Sequence, residues 1–123
     1  MSLANTIKRG QAGELLVKAK LLDKGFNLFT AVTEDSENDL IVEGLEVRHL
    51  YKCQIKRITS DNAPALKLSN KIHKYYYHFN VDVFIAVHED NIYFVPKSFA
   101  MNYTSSISLS VIQQFKDNYN VFK

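Results

Sequence analysis

The chain has 123 residues, of which 46% are hydrophobic and 23% are charged, and its formal net charge is +2. This length and composition predict one folded domain over residues 5–123 and exclude disordered, collagen-like and coiled-coil chains. The single cysteine, Cys53, excludes an intrachain disulfide and a cysteine-based zinc site. Because the sequence has no apolar run of about 18 residues and no signal peptide, it predicts a cytoplasmic protein with no membrane span.

The first half of the chain predicts one helix and three strands. Apolar residues recur at helical spacing over Gln11–Lys24, and Gly25 follows as the residue that ends this helix. Strands are predicted over residues 26–32, 39–45 and 48–58. The third strand alternates, and one set of its side chains turns towards the core, namely Tyr51, Cys53 and Ile55. The opposite face of that strand carries Lys52, Gln54 and Lys56.

The second half predicts a helix, a strand pair and a final helix. After a polar loop over 60–65, a helix is predicted over 66–79 from the spacing of Ile72, Tyr75, Tyr76 and Phe79. A dense apolar strand over 81–87 is expected at the centre of the sheet, paired through a polar turn with 92–95. Ser106 or Ser108 caps a last helix, whose apolar face comprises Ile112, Phe115, Tyr119 and Phe122. The order αβββαββα predicts an α/β (α+β) sandwich, a mixed central β-sheet flanked by helices.

Charged residues fall in blocks along the chain. Residues 8–24 carry five bases and two acids, residues 34–46 carry six acids and no base, and residues 48–78 carry seven bases and one acid. An acidic block between two basic segments suits a metal site inside a cleft that binds a polyanion. The alternative is that these blocks are solvated faces without a ligand.

Four polar residues are predicted to converge at the sheet. Asp39 opens the second strand, and Gln54 and Lys56 share one face of the third. If these strands form a hairpin, they lie about 4.8 Å apart and the three side chains are neighbours. Glu14, near the N-terminal end of the first helix, is expected to overhang the same face. Any one of the four alone is equally consistent with a solvated surface residue, so the interpretation depends on their convergence.

This set of groups suits the hydrolysis of a phosphodiester. Asp39 and Glu14 supply charged oxygens, and Gln54 supplies an amide oxygen. With the backbone carbonyl of Ile55 they form the kind of oxygen site that Mg²⁺ (or Mn²⁺) prefers. A cation bound there polarises the phosphoryl group and lowers the pKa of a water molecule. Lys56 supplies an ammonium group that stabilises the attacking water or the developing phosphoryl charge.

The same residues stand in three short motifs. Residues 10–16 read GQAGELL on the first helix, residues 38–42 read NDLIV, and residues 53–56 read CQIK. In these motifs the chain resembles the PD-(D/E)xK nuclease superfamily, closest to the small branch with a QxK motif that includes intron-encoded homing endonucleases. The resemblance covers most of the chain. It implies a restriction-endonuclease-like fold and Mg²⁺-dependent cleavage of double-stranded DNA.

The resemblance also implies roles for individual residues. The active-site positions of the superfamily match Glu14, Asp39, Gln54 and Lys56. The homing branch acts as oligomers, which implies a homo-oligomer here, either a dimer or a tetramer. Two positions depart from the wider pattern, because Asn38 stands in place of proline and Gln54 in place of an acid. The second departure removes one negative charge from the metal site, so we expect weaker metal binding, with one bound ion rather than two.

Cations on the second predicted helix indicate DNA as the partner. They recur along one helix face and can follow a phosphate backbone: Lys67, Lys71, Lys74 and His78. Further cations are expected to extend this surface, namely Lys8, Arg9, Lys18, Lys52 and Arg57. The alternative is an ordinary solvated helix face.

Three other functions fit parts of the sequence. A non-cleaving DNA-binding domain on the same scaffold is consistent with the charge lost at Gln54. A structure-specific nuclease similar to Holliday-junction resolvases would use the same site. A protein-interaction subunit predicts no salt-dependent DNA binding. A cleavage assay with Mg²⁺ or Mn²⁺, repeated with a chelator, discriminates between the cleaving and the non-cleaving functions.

Overall fold

The N-terminal helix packs on the sheet and ends where the sequence predicts. The computed structural model of the chain describes residues 3–30, 40–46, 48–58, 62–68 and 81–123. Helix α1 (Leu3–Asp23) begins nearer the N-terminus than predicted. Gly25, with φ of 93°, donates its N–H to Leu22 O at 3.0 Å, and Phe26 donates to Leu21 O at 3.1 Å. This is a Schellman ending, which needs glycine because its backbone is left-handed.

Seven strands form a mixed sheet and a small ribbon. The strands are β1 (Asn27–Phe29), β2 (Leu40–Glu43), β3 (Leu50–Arg57), β4 (Ala65–Lys67), β5 (Val83–His88), β6 (Asn91–Pro96) and β7 (Ser106–Ser108). The five-stranded sheet has the order β1-β2-β3-β5-β6, and β4 pairs with β7 in a separate ribbon. Within the sheet, β3 and β5 run parallel while the other pairs are antiparallel. The predicted α/β (α+β) class, with a mixed central sheet, is confirmed.

The hydrophobic core has one cluster on each face of the sheet. The first cluster joins Val17 and Leu21 of α1 to Cys53 and Ile55 of β3. The second joins strand residues such as Phe84 to the ribbon, and its buried members include Phe84, Ala86, Leu66 and Ile107. The predicted alternation of β3 is therefore correct. Residues 83–87 of β5 are almost completely buried between β3 and β6, as expected of a central strand.

The structure contradicts the start of the helix predicted over 66–79. Leu66 and Lys67 belong to β4, where Leu66 is aligned with Ile107 and Lys67 with Ser106 of β7. The burial pattern alternates, with Leu66 in the second cluster and Lys67 exposed. Two inward positions two residues apart, Leu66 and Leu68, fit the period of a strand. Residues 69–80, the rest of this predicted helix, lie outside the described residues.

The last predicted helix is wrong as one element. Ser108 precedes the short helix α3 (Leu109–Ile112), two 3₁₀ turns follow at Gln113–Phe115 and Tyr119–Phe122, and Ser106 lies in β7. Between the turns, Asp117 has φ of 54° and donates its N–H to Ile92 O at 2.9 Å. The chain therefore passes around the edge strand β6. Ile112 and Phe115 contact the second cluster, and Tyr119 and Phe122 contact the first.

The remaining short elements connect these parts. The β5–β6 hairpin turns at Glu89, which has φ of 55°, and Asp90. Helix α2 (Lys97–Ala100) follows β6 directly and buries Ala100 in the second cluster. None of the helices that the structure describes is long and apolar enough to span a membrane.

Candidate active site

Strand β3 presents Gln54 and Lys56 on the same face. Gln54 is aligned with Phe84 of β5, and Lys56 is aligned with Ala86. Gln54 is 9% exposed and its Oε1 atom is buried, whereas Lys56 is half-buried. The strand therefore holds an amide oxygen inside the protein and an ammonium group close to solvent, two residues apart.

The burial of Gln54 is chemically unusual. Within the described part of the chain it is the one buried residue with an amide or charged side chain. Transfer of an amide from water into a protein interior costs free energy unless its polar atoms are compensated. The buried side-chain oxygen makes Gln54 a candidate ligand on this face of β3.

Helix α1 turns Glu14 towards the sheet. Val17 and Leu21 are fully buried against the first cluster, and Glu14 precedes them by three and seven residues. Residues at this spacing share one helix face. Glu14 is half-buried, as expected for a side chain on the sheet-facing side near the margin of the core. It thus approaches the sheet from the first-cluster side, whereas Gln54 and Lys56 lie on the other side. Glu14 therefore does not overhang the face of Gln54 and Lys56 as expected from the sequence, and it could join them only around the C-terminal end of β3.

The helix and the strand meet at the C-terminal end of β3. A Cβ atom placed on Gly13 would lie 3.6 Å from Nη1 and 3.7 Å from Cδ of Arg57. Glu14 follows Gly13 in the chain, and Lys56 precedes Arg57. This contact brings the segments that carry Glu14 and Lys56 into one neighbourhood. The convergence of the complete predicted site stays a prediction.

Asp39 lies outside the described residues. Leu40, the first residue of β2, is aligned with Cys53 in antiparallel register. Strand β2 therefore begins beside the residue that precedes Gln54. The hairpin of the second and third strands, on which the sequence argument depended, is present.

Asp82 is a supporting residue that the sequence reasoning missed. Its carboxylate Oδ2 accepts a hydrogen bond from Lys52 N–H at 2.9 Å, and its own N–H donates to Lys52 O at 2.7 Å. Asp82 O also accepts the N–H of Lys97 at 2.9 Å. These bonds fix the start of the parallel β3–β5 pair, two residues before Gln54. The sequence signal that could have indicated this role is the position of Asp82, an aspartate directly before a buried apolar strand.

The predicted DNA-binding residues have different surroundings. Lys8, Arg9, Lys52 and Lys67 are exposed. Arg57 is half-buried and lies against Gly13. Lys67 belongs to β4, so it does not begin a helical row of cations. The other members of that predicted row, Lys71, Lys74 and His78, lie outside the described residues.

The donors in this region fit a hard divalent cation. No group of three or more His, Cys, Asp or Glu side chains that could hold a metal occurs within the described residues. Three of the four predicted ligands are described, namely the carboxylate of Glu14, the buried amide oxygen of Gln54 and the backbone carbonyl of Ile55. All three are oxygen donors, which Mg²⁺ and Mn²⁺ prefer. Glu14, Gln54, the Ile55 carbonyl and Asp39 would hold the ion.

Tyr119 has a perturbed pKa at the opposite end of α1. Burial, then the nearby carboxylates of Asp117 and Asp23, raise the pKa of its hydroxyl group above the usual 10.0. Lys24 Nζ lies 5.0 Å from the centre of its ring, which is cation–π distance. Tyr119 also packs on Phe26 and Phe94, so it belongs to the aromatic part of the first cluster.

Comparison with known proteins gives a match to a family model and a similar solved structure. The family model for PD-(D/E)XK endonucleases matches residues 4–122. Among solved structures the chain is similar to the bacterial homing endonuclease I-Ssp6803I, with a TM-score of 0.76, 15% identity, and coverage of 94% of this chain and 91% of that chain. No curated protein sequence matches the chain. The predicted resemblance and the restriction-endonuclease-like fold are confirmed.

Proposed function

The chain belongs to the PD-(D/E)XK endonuclease family, and on that premise we propose that it cleaves double-stranded DNA with the help of one divalent cation, Mg²⁺ or Mn²⁺. The observation that carries the proposal is the buried side-chain oxygen of Gln54 on the same strand face as Lys56. A buried amide beside an ammonium group near solvent suits a site that binds a cation and a phosphate together.

The proposed ligands come from three segments of the chain. Asp39, the principal proposed ligand, directly precedes Leu40, and the partner of Leu40 in the sheet, Cys53, directly precedes Gln54. Glu14 would complete the carboxylate pair from α1, and the Ile55 carbonyl would add a neutral oxygen. The cation, when bound, supplies Lewis-acid polarisation of the phosphoryl group and a water of lowered pKa. The protein supplies the fixed positions of these oxygens.

Lys56 has the proposed catalytic role. Lys56 is half-buried and lies two residues from Gln54 on the same face of β3. There it would orient the attacking water and stabilise the negative charge that develops on the phosphoryl oxygens. The backbone at Lys56 is held in the sheet by its pairing with Ala86 of β5. A preorganised cation of this kind needs little rearrangement during the reaction.

The experiment is a cleavage assay with Mg²⁺, with Mn²⁺ and with chelator, on a linear duplex and on a four-way junction. We expect metal-dependent products from the unaltered protein. Asp39→Ala and Lys56→Ala should abolish cleavage while they leave DNA binding largely intact, and Lys116→Ala, an exposed control, should cleave normally. Normal cleavage by Lys56→Ala would refute the role of that residue. Preferential cleavage of the junction would identify a structure-specific nuclease.

A second candidate function is DNA binding without cleavage. It is favoured by one feature, the neutral amide of Gln54, which supplies less charge to a cation than a carboxylate does. Exposed cations at Lys8, Arg9, Lys52 and Lys67 would still bind phosphates. Binding that weakens steeply with salt, together with no metal-dependent product, would support this function over the first.

We also propose that the protein acts as a dimer or tetramer in the cytoplasm. Cleavage of both strands of a duplex suits paired subunits that present two active sites. The buried thiol of Cys53, which forms no disulfide, is compatible with a reducing compartment. Light scattering coupled to gel filtration would measure the assembly, and a monomer at all concentrations would contradict the proposal.

A further inference from the structure

Two glycines inside α1 have different surroundings. At Gly10 an added Cβ atom would have no heavy atom within 4 Å. At Gly13 it would lie 3.6, 3.7 and 3.9 Å from Nη1, Cδ and Cβ of Arg57. Glycine is unfavourable within a helix, so its presence calls for a local reason. At Gly13 the arginine side chain occupies the space beside the helix, so a side chain larger than a methyl group would meet it.

Arg57 lies along the helix instead of extending into solvent. Atoms from its Cβ to its guanidinium group lie beside Gly13, and the residue is half-buried. It is the last residue of β3 and is aligned with Val87 of β5, while the next residue, Ile58, donates its N–H to Val87 O at 2.7 Å. The arginine therefore projects from a strand end that is held on the sheet.

The contact joins the two segments that carry the proposed site. Glu14 follows Gly13 on the helix, and Lys56 precedes Arg57 on the strand. We propose that the packing of the Arg57 side chain against Gly13 holds helix α1 at a fixed distance from β3. In this proposal Arg57 is a positioning residue that fixes Glu14 at the distance from β3 needed to hold the divalent cation. This role replaces the DNA contact predicted for Arg57 from the sequence. The inference rests on the proposed function of the site.

Three glycine substitutions separate this role from general helix stability. Gly13→Ala places its methyl group at 3.6 Å from Arg57, an ordinary contact, so the arginine stays in place. Gly13→Leu extends into the space of the arginine and must displace it. Gly10→Leu adds the same side chain one turn earlier, where nothing stands within 4 Å. Arg57→Ala removes the contact from the strand side.

The measurement is Mn²⁺ binding by titration calorimetry in the absence of DNA, followed by kcat and KM for DNA cleavage. Loss of a group that orients a metal ligand typically weakens metal binding 10–100-fold. We therefore expect Gly13→Leu and Arg57→Ala to raise the Kd for Mn²⁺ at least about 10-fold and to lower kcat with little change in KM. Gly13→Ala and Gly10→Leu should bind Mn²⁺ as the unaltered protein does.

The outcomes distinguish this inference from the proposed function. If the unaltered protein binds Mn²⁺ and cleaves DNA, and Gly13→Leu does both equally well, the positioning role is refuted and the proposed function stands. If the unaltered protein does neither, the proposed function fails, and the positioning role fails with it. Thermal unfolding tests the packing of Arg57 against Gly13 separately. Gly13→Leu should lower Tm in the presence of Arg57 and not in Arg57→Ala, and equal shifts in both backgrounds would refute the contact.

Discussion

Replacement of Gln54 by glutamate tests whether its buried oxygen faces a cation. Gln54→Glu keeps the size of the side chain and opens no cavity, so its effect on stability is electrostatic. The residue is 9% exposed, and its oxygen is buried. A carboxylate buried at such a site costs about 3 kcal/mol of unfolding free energy. For a domain of this length we expect Tm to fall by about 10 °C in chelator.

A divalent cation should reverse most of this loss. A cation present at 100 times its Kd stabilises the folded protein by about 2.7 kcal/mol. The new carboxylate adds one negative charge to the ligand set, so the cation should bind more tightly to Gln54→Glu than to the unaltered protein. We therefore predict that Mg²⁺ raises Tm more in Gln54→Glu than in the unaltered protein.

The assay is thermal unfolding by circular dichroism in chelator and in saturating Mg²⁺. Gln114→Glu is the matched control, because Gln114 is exposed and the same change there leaves the charge in water. We expect the control to shift little in either condition. Equal Mg²⁺-induced shifts in Gln54→Glu and in the unaltered protein would refute the placement of Gln54 beside the cation.

Three further predictions concern stability. Gly10→Ala should raise the free energy of unfolding by about 0.5–1 kcal/mol in denaturant titration, because it improves helix propensity without a clash, and a loss would contradict the open space beside Gly10. Asp82→Ala should lower it by about 1–2 kcal/mol, since Lys52 N–H loses its acceptor, whereas Asp82→Asn keeps an acceptor and should lose less. Because the pKa of Tyr119 is raised in the folded state, the unfolded chain loses this proton first and stability falls as pH rises above 10. Tyr119→Phe should reduce that alkaline loss, and an unchanged pH profile would contradict the raised pKa.

The sequence was sufficient to predict β3 and its two faces. Alternation over Tyr51–Lys56 separates residues that pack in the first cluster from Gln54 and Lys56, and the pairing of β3 with β2 supports the predicted hairpin. This worked because a period of two is a local property of a strand and needs no knowledge of its partners. The central position of β5 was also predictable, since a strand buried on both faces is apolar throughout.

Long-range arrangements were not predictable. Ile112, Phe115, Tyr119 and Phe122 have helical spacing, yet the left-handed turn at Asp117 divides them between the two sheet faces. Helical periodicity predicts which residues are buried, but it does not predict the face of the sheet on which each of them is buried. In the same way, Leu66 is placed in a strand by its pairing with Ile107, which lies far away in the chain.

For the candidate site, the sequence indicated chemical types more clearly than positions. The oxygen donors and the lysine were recognisable as a set that suits a hard cation. The packing of Arg57 against Gly13 and the hydrogen bonds of Asp82 were not recognisable from the sequence. Both depend on how α1 and β5 pack against β3. These packing contacts are the parts of the site that only a structure supplies.

The most direct test of the central claim is anomalous diffraction from crystals of the unaltered protein soaked in Mn²⁺. We expect one ion, with Gln54 Oε1 about 2.1 Å away and a carboxylate oxygen of Asp39 or Glu14 as a further ligand. Mn²⁺ bound elsewhere on the protein, or no ion near Gln54 at saturating Mn²⁺, would contradict the proposed metal site.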